Sequence, residues 1–380
     1  HGVTTTANDE MSQRFVREAQ ITGRLDHPGV VPIHELATDK DGRMYFTMKY
    51  VQGQTLSKVI PELRVESSQW SLNRVLEVLI RVCETLAFAH SKAVIHRDLK
   101  PANIMVGEFG ETVVVDWGLA GFVDEQAASA LGPPPDEVAA PLQSAGLGTP
   151  AYMSPEQAEG SNLDVDSRTD IYSLGVMLYE LLTASLPLDL ANMAQGAVLL
   201  AIRETDPKRP SVKFHTQTGN QEFVAHGRQT TPAGLLRDLA GDLDWIVLKA
   251  MEKDRTRRYE TANGMALDLE RHLRNEPVLA RPPTARYRIE KFVQRNRASV
   301  VAGALALLAI IGGAAAATVG FVRATRAQAR ATADAATAEQ VSDFLVGLFK
   351  VSDPGESVGN TVTARAILDS GATRIRQELK

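Results

Sequence analysis

The sequence predicts an α+β fold that is mostly helical and is followed by a single transmembrane helix and a helical tail. Three observations support this prediction. Segment 43–51 (RMYFTMKYV) alternates and is rich in β-forming residues, which indicates a strand. Segments 72–90 and 170–183 have long helical patterns of apolar residues. Segment 298–322 is a continuous run of uncharged residues.

The composition limits the classes of protein to consider. The chain has 380 residues, of which 44% are hydrophobic, so it can bury a sizeable core in one large domain or two ordinary ones. Its net charge of -5 gives no indication of nucleic-acid binding, so we expect no nucleic-acid partner. The single cysteine, Cys83, lies in an apolar helical pattern, so we interpret it as a buried structural thiol.

The elements before residue 277 follow from local patterns. The segment RFVREAQITGRL predicts a helix before the strand, and residues 72–90 predict a long amphipathic helix. Segment 111–118 (ETVVVDWG) predicts a short buried strand that ends in a turn, and 170–183 is apolar nearly all round, as a central helix would be. Two segments have no period: we interpret 124–146 as a disordered loop and 206–235 as an insertion.

The uncharged run 298–322 predicts a transmembrane helix. A helix of this length spans about 37 Å, which exceeds a hydrocarbon core of about 30 Å. A buried core helix is the alternative, but such helices seldom extend this far without a polar face. The preceding segment 281–297 has six basic residues and one acidic residue, so the positive-inside rule places residues 1–297 in the cytoplasm.

We therefore divide the chain into four parts. Residues 1–277 form a cytosolic folded region, 278–297 a basic juxtamembrane linker, 298–322 the transmembrane helix, and 323–380 an extracytoplasmic helical region. Whether a helical-repeat domain begins in the last part stays open, because one partial helix pair cannot establish a repeat. Three small residues of the span are spaced four apart: Gly312, Ala316 and Gly320. Such a row could pack two spans into a homodimer, but in so Ala-rich a helix coincidence explains the spacing equally well.

The segment IHRDLKPANIM at 95–105 places three different chemical groups close together, and Asp116 follows after a strand. Phosphoryl transfer from ATP needs a group at the acceptor hydroxyl, metal ions on the phosphates and a positive charge on the transferred group. Asp98 suits the first role. Asn103 and Asp116 offer oxygen ligands for Mg²⁺, and Lys100 can neutralise the transferred phosphoryl.

These motifs resemble the signature set of protein kinases, with HRDLKPAN as the catalytic loop, over most of residues 14–277. The resemblance implies a two-lobed protein kinase fold that uses ATP and Mg²⁺ to phosphorylate protein substrates. Lys100 and the motif GTPAYMSPE at 148–156 resemble those of serine/threonine kinases. With the span and the helical tail, the chain resembles bacterial receptor-type serine/threonine kinases, which implies a single-pass protein of the inner (plasma) membrane.

The resemblance also implies roles for individual residues. At the nucleotide, Glu18 would hold the ATP-binding lysine, Met48 would be the gatekeeper, and Tyr50 and Val51 would belong to the hinge. Structural roles in the helical lobe would fall to a second group: Asp170 would hold the catalytic loop, His96 would pack it, and Glu156 would pair with Arg258.

The resemblance makes GTPAYMSPE the end of the activation segment. A phosphate on that segment could pair with Arg97, the residue before Asp98. We predict Ser144 as the better candidate for this phosphate. For Thr149 we favour a role in positioning the loop, and phosphorylation is the alternative.

The sequence departs from the family pattern in two places. Trp117 replaces the usual Phe of the metal-binding motif, and we expect this larger apolar side chain still to pack. A glycine-rich loop and the strand-three lysine do not precede Glu18, so we expect a truncated N-lobe in a chain that is a piece of a longer kinase. Taken alone, this chain should bind ATP poorly and be inactive. A pseudokinase scaffold and a receptor that acts by binding alone are the alternatives, and the retained Asp98 and Asp116 favour an active kinase.

Overall fold

The structure is a computed structural model that describes residues 7–41, 43–65, 69–122, 150–160, 165–217 and 219–350, together with 365, 368–369 and 371–373. Side chains are described from residue 15 to residue 347 and at those last positions. The chain divides into two compact units, His1–Arg295 and Asn296–Lys380. Each unit is described by itself.

The first unit begins with a helix and a pair of strands. Helix α1 (Ala7–Arg24) precedes strands β1 (Ile33–Thr38) and β2 (Met44–Met48), which pair antiparallel. The ring of Phe15 on α1 stacks on the ring of Phe46 on β2, with 4.7 Å between centroids. The predicted helix and strand are therefore present, although the strand ends three residues earlier than the pattern indicated.

Short strands enclose the segment that the motifs single out. Strands β3 (Gln54–Thr55), β5 (Ile104–Val106) and β6 (Thr112–Val114) pair antiparallel in that order, and β4 (Val94–Ile95) pairs with β7 (Gly121–Phe122). Because β4 ends at Ile95 and β5 begins at Ile104, residues 96–103 form a loop held by a strand at each end. A short 3-10 turn, Pro101–Asn103, closes this loop.

The rest of the first unit is mostly helical. Helix α3 (Leu72–Ser91) begins where the Ser71 side chain accepts a hydrogen bond from the backbone N–H of Arg74, an ordinary N-cap. Cys83 on this helix is fully buried, as predicted. Helix α3 contacts the long helix α5 (Ser167–Thr183), and the described helices of this part also include α2 (Leu56–Glu62), α4 (Pro155–Ala158), α6 (Gln195–Glu204), α10 (Asp244–Ala250) and α11 (Ala262–Leu273).

Helix α5 is buried on nearly all sides, which explains why its sequence has hardly any polar face. The side chains of Ile171, Leu174 and Leu178 are fully buried within it. The helix ends at Ala184, whose φ of 54° is left-handed. The prediction of a central helix at 170–183 is correct.

The segment predicted as an insertion, 206–235, is instead part of the core. It forms α7 (Pro210–Thr216) and α8 (Gln221–His226) and leads into α9 (Pro232–Asp238). These helices have six or seven residues each, too short for a periodic pattern to appear in the sequence. Arg228 between them is 1% exposed and donates to the carbonyls of Leu181, Val224 and Leu63; its burial lowers its pKa to about 9.

The segment predicted as a linker, 278–297, contains helix α12 (Ala285–Arg295), which belongs to the first unit and is held there by buried side chains. The Tyr287 hydroxyl donates to Asp242 Oδ1 at 2.8 Å, and Lys291 Nζ lies 2.5 Å from Asp242 Oδ2. The backbone N–H groups of Leu279 and Ala280 donate to Asp268 at 2.7 and 2.8 Å. Two buried carboxylates therefore hold a segment whose sequence indicated only a basic juxtamembrane linker.

The ion pairs of Asp242 predict a specific loss of stability in acid. Burial would raise its pKa, but His272, Lys291 and Tyr287 lower it to about 2. A group whose pKa is lowered by folding stabilises the folded state fully at pH values above its unfolded-state pKa, near 4 for Asp. This stabilisation is lost as the pH falls from about 4 toward 2. We expect Asp242→Asn to lose about 2 kcal/mol of unfolding free energy at pH 7 and to show a flatter pH profile in this range.

Urea titrations followed by tryptophan fluorescence measure this effect in detergent. All three tryptophans of the chain, Trp70, Trp117 and Trp245, belong to the first unit. The exposed Asp189→Asn variant is the matched control. Parallel pH profiles for Asp242→Asn and the wild-type protein would contradict the assignment of this loss to Asp242.

The second unit contains the long helix α13 (Arg297–Lys350). Its most apolar window of 18 residues has a mean hydropathy of 2.3, and none of that window is buried. By length and composition this helix could cross a membrane, whereas an apolar core helix of a soluble protein would be mostly buried. In the predicted helical region 323–380, residues 323–350 belong to α13 and residues 365, 368–369 and 371–373 are helical; the other residues after Lys350 lie outside the described part of the chain.

Candidate active site

The loop between β4 and β5 brings the three groups of the HRDLKPAN motif together. Lys100 Nζ lies 2.6 Å from Asp98 Oδ2. Asn103 Nδ2 donates to the backbone carbonyl of Asp98 at 2.9 Å and contacts its Oδ2 at 3.3 Å. Because the amide nitrogen of Asn103 is used in these contacts, its amide oxygen is the atom that can bind a metal. A carboxylate, an ammonium and an amide oxygen therefore share one small site.

Asp170 on α5 fixes this loop by hydrogen bonds to its backbone. Its two carboxylate oxygens accept hydrogen bonds from the backbone N–H groups of His96 and Arg97, both at 2.9 Å, and from His90 Nε2 at 2.8 Å. Burial alone would raise the pKa of Asp170, but the hydrogen bonds from His90 and from the backbone of His96 lower it below its ordinary value. Asp170 is therefore a buried anion that fixes the backbone directly before Asp98.

His96 supports the same loop as a neutral ring. Its burial lowers its pKa, so the imidazole is uncharged near pH 7. The backbone N–H of Asp98 donates to His96 Nδ1 at 3.3 Å, so Nε2 has the proton and donates to the carbonyl of Val115 at 3.2 Å. The His96 ring also packs on Trp117, with 4.7 Å between centroids. His96 thus connects the Asp98 loop to the strand that leads to Asp116.

Two residues of the site have left-handed backbones although neither is glycine. The φ angles are 69° at Arg97 and 65° at Asp116. Such conformations cost energy in residues with a Cβ and are found where the surrounding structure holds them in place. Two hydrogen bonds hold the Arg97 backbone in this conformation. Its N–H donates to Asp170 Oδ1, and its carbonyl accepts from Gln157 Nε2 at 2.7 Å.

A cavity of about 250 Å³ lies beside Asp116. Three of the predicted nucleotide residues, Glu18, Met48 and Asp116, line it, and its other walls are mostly apolar: Thr22, Val31, Ile33, Phe46, Val114, Val115 and Trp117. A larger cavity of about 430 Å³ has a different lining, which includes Arg64, Lys213 and Phe223. Only the smaller cavity contains residues from the motifs.

The two predicted hinge residues, Tyr50 and Val51, do not line this cavity. Tyr50 is 82% exposed and Val51 is partly exposed, and among the described residues that line the cavity neither is present. The backbone N–H of Lys49 donates to the carbonyl of Pro32 at 3.2 Å, which fixes the start of this segment. The structure thus brings Met48 to the cavity but does not bring Tyr50 and Val51 to it.

Two carboxylates converge at Gly118. A Cβ atom at this position would lie 3.1 Å from Glu18 Oε2 and 3.4 Å from Asp116 Oδ1. The pKa of Glu18 is raised, first by burial and second by the charge of Asp116. Glu18 is half-buried and Asp116 is exposed. Two neighbouring carboxylates favour a bound cation, and carboxylate and amide oxygens are ligands that Mg²⁺ prefers. The residues present therefore fit the magnesium nucleotide that the motifs imply.

Glu156 and Arg258 form a buried ion pair with two parallel contacts. Arg258 Nη1 and Nη2 donate to the two oxygens of Glu156, each at 2.8 Å. The remaining guanidinium N–H groups donate to the carbonyls of Arg168, Glu252 and Lys253. Burial would raise the pKa of Glu156, but Arg258 and the hydroxyl of Thr169 lower it. This pair joins the segment after residue 150 to the helical part.

The sequence model of the protein kinase domain matches residues 3–264 of this chain. The chain belongs to the protein kinase family. This match covers well over half of the chain, and it includes every predicted site residue discussed above.

Bacterial serine/threonine kinases are among the relatives of this kinase chain. PknD of Chlamydia abortus is 32% identical over 282 residues, which cover 71% of this chain and 27% of the relative. The probable kinase PknB of Corynebacterium glutamicum is 37% identical over 266 residues, or 69% of this chain and 36% of the relative. PknB of Mycobacterium tuberculosis is 34% identical over 267 residues, or 70% and 36%. The chain therefore spans about a third or less of the length of these relatives.

Sequence reasoning missed three residues that support the kinase site. His90 holds Asp170, Gln157 holds the backbone of Arg97, and Thr169 donates to Glu156 at 2.7 Å. Only Gln157 had a local signal, because Ser154 and Gln157 form a capping box at the start of α4. The predicted phosphorylation sites Ser144 and Thr149 lie outside the described residues.

Proposed function

We propose that this protein transfers the γ-phosphoryl group of Mg-ATP to serine and threonine hydroxyls of protein substrates. Asp98 would orient and accept the proton of the attacking hydroxyl. Lys100 would neutralise the charge of the transferred group, and Asn103 and Asp116 would bind Mg²⁺. The names of the relatives, all serine/threonine kinases, support this specificity.

One observation supports the proposal most strongly: Lys100 and Asn103 both contact Asp98, in a loop that Asp170 holds by two backbone hydrogen bonds. Little covalent chemistry is needed for phosphoryl transfer, so positioned charges are the main requirement. A pseudokinase scaffold would not need this arrangement. We also propose the two-lobed arrangement, with Glu18 and Met48 on the side of the smaller lobe.

The protein produced from its complete reading frame tests this function directly. We expect it to incorporate labelled phosphate from ATP only when Mg²⁺ is present. Acid hydrolysis should then release phosphoserine or phosphothreonine. Incorporation into tyrosine alone would contradict the serine/threonine assignment, and no incorporation at all would favour the scaffold.

Two arginines support a proposal for regulation. Burial lowers the pKa values of Arg17 and Arg97. Asp170 raises the pKa of Arg97 and the nearby charge of Arg17 lowers it, so the two arginines lie near each other. Within the described part of the chain, the Nε atoms of both are buried without a hydrogen-bond partner. We propose that a phosphate on Ser144 or Thr149 pairs with these arginines. Mass spectrometry of the active protein should locate phosphate at one of the two positions; an active protein without it would contradict the proposal.

We further propose that α13 anchors the protein in the plasma membrane by a single span, with the kinase domain in the cytoplasm. The apolar, unburied window of this helix and the basic segment before it support this orientation. An enzyme that consumes ATP also requires the cytosolic side.

The orientation predicts the outcome of reporter fusions. A reporter active only outside the cytoplasm should be active when fused after Lys380 and inactive when fused before Ala298. A cytoplasmic reporter is the control and should give the opposite pattern. If both fusions behave as cytoplasmic, the helix does not cross the membrane, and the kinase assignment stands on its own residues.

A further inference from the structure

Helix α12, directly before the candidate span, has one face fixed on the kinase domain. Tyr287 is 2% exposed, with its hydroxyl on Asp242, and Lys291 is one turn later on the same carboxylate. Arg295, one turn further, lies 3.6 Å from Glu276. Residues four apart lie on one side of a helix, so these three define the docked face.

The opposite face of α12 is apolar and exposed. Ile289 is 63% exposed, Phe292 is 55% exposed and Val293 is 39% exposed. At about 100° per residue, these positions lie on the side away from Tyr287. The exposed residues Arg286 and Arg288 lie on the two edges of this apolar face.

Charge and chain continuity indicate what covers this face. An apolar strip bordered by arginines is typical of helices that lie in the interface of an anionic membrane. Segment 281–297 has six basic residues and one acidic residue. Helix α12 ends at Arg295, and the helix that contains the candidate span begins at Arg297. The strip therefore lies in the part of the chain that would be nearest to the membrane.

We propose that α12 is an interfacial membrane-binding helix that inserts Ile289 and Val293 among anionic lipids while Tyr287 and Lys291 hold it to the kinase domain. This inference rests on the proposed membrane anchorage. Its consequence is that the kinase domain is fixed at the lipid surface through α12. A flexible linker in its place would leave the domain free to reorient.

Spin labels in the full chain test the proposal. The chain is reconstituted into vesicles of phosphatidylcholine and phosphatidylglycerol, with a nitroxide on Ile289→Cys. The matched control is a nitroxide on Phe223→Cys. Phe223 lies on α8 and is an apolar residue of similar exposure, at 56%. The native Cys83 is fully buried, and the unsubstituted chain is the labelling blank.

We expect the label at 289 to be accessible to oxygen, which dissolves in lipid, and protected from a water-soluble nickel complex. The label at 223 should show the opposite preference. Replacing Arg286 and Arg288 by Glu should remove most of the protection at 289, because each basic residue at an anionic surface strengthens binding about fivefold. In vesicles of phosphatidylcholine alone, the label at 289 should also be less protected from the nickel complex.

Two results would overturn the proposal. The first is equal access of the nickel complex to the labels at 289 and 223, which would mean that α12 is in water. The second is shielding of the 289 label from both reagents together with spin–spin broadening, which would mean that a second copy of the chain covers the face. Carbonate extraction tests the anchor separately: a chain that is extracted contradicts the span, whatever the label at 289 reports.

Discussion

Replacing Asp98 with Asn is expected to lower the rate of autophosphorylation by about 10²–10⁴-fold, the usual contribution of a positioned base. Asn has nearly the same size, so the backbone contact from Asn103 and the loop held by Asp170 should persist. The loss would then report the missing carboxylate. Initial rates with Mg-ATP, measured on the protein from its complete reading frame, give this value.

The control for this experiment is Asp189→Asn, the same chemical change at an exposed position. It should have the wild-type rate. Binding of ATP to the Asp98→Asn protein should change little, because the proposed nucleotide contacts belong to Asn103, Asp116 and the cavity beside them. A rate for Asp98→Asn equal to that of the wild-type protein would refute the proposed role of Asp98.

The largest effect on stability is expected from Arg258→Met. This change leaves the carboxylate of Glu156 buried without its partner and removes the hydrogen bonds to three backbone carbonyls. Breaking a buried pair in this way costs about 3–5 kcal/mol of unfolding free energy. Urea unfolding followed by tryptophan fluorescence in detergent measures the loss.

Arg257→Met is the matched control, because the neighbouring Arg257 side chain is 72% exposed and should contribute little. A second comparison is the double variant Glu156→Leu, Arg258→Met. It should be more stable than Arg258→Met alone, because no unpaired carboxylate stays buried. If Arg258→Met and Arg257→Met unfold at the same urea concentration, the buried pair does not stabilise the fold as proposed.

Local patterns in the sequence were sufficient for the long elements and for the catalytic loop. The helices at 72–91 and 167–183 have enough turns for the apolar period to appear, and the strand at 44–48 alternates clearly. Asp98, Lys100 and Asn103 lie within six consecutive residues, so one loop necessarily brings them near each other. The resemblance to the kinase family, and not the local pattern, suggested the pairing of Glu156 with Arg258.

Only the tertiary structure decided the features that depend on contacts between distant parts of the chain. The carboxylates of Glu18 and Asp116 converge at Gly118, although 98 residues separate them in the sequence (116 - 18 = 98). His90 reaches Asp170 across a similar separation, and Asp242 reaches Tyr287 and Lys291. No periodic pattern encodes such contacts, because each depends on how packed helices place side chains that local sequence leaves free to point elsewhere.

The same reason explains the two segments whose interpretation changed. In 206–235 the helices are too short to show a period, and their apolar side chains, such as Phe214 and Leu235, become core residues only through packing. In 278–297 the prolines and arginines indicate a basic linker, but buried Asp242 and Asp268 offer acceptors that hold it. The sequence alone determined the family and the chemical groups of the site, and the tertiary structure decided which of those groups meet, because burial and hydrogen bonding are properties of the packed chain.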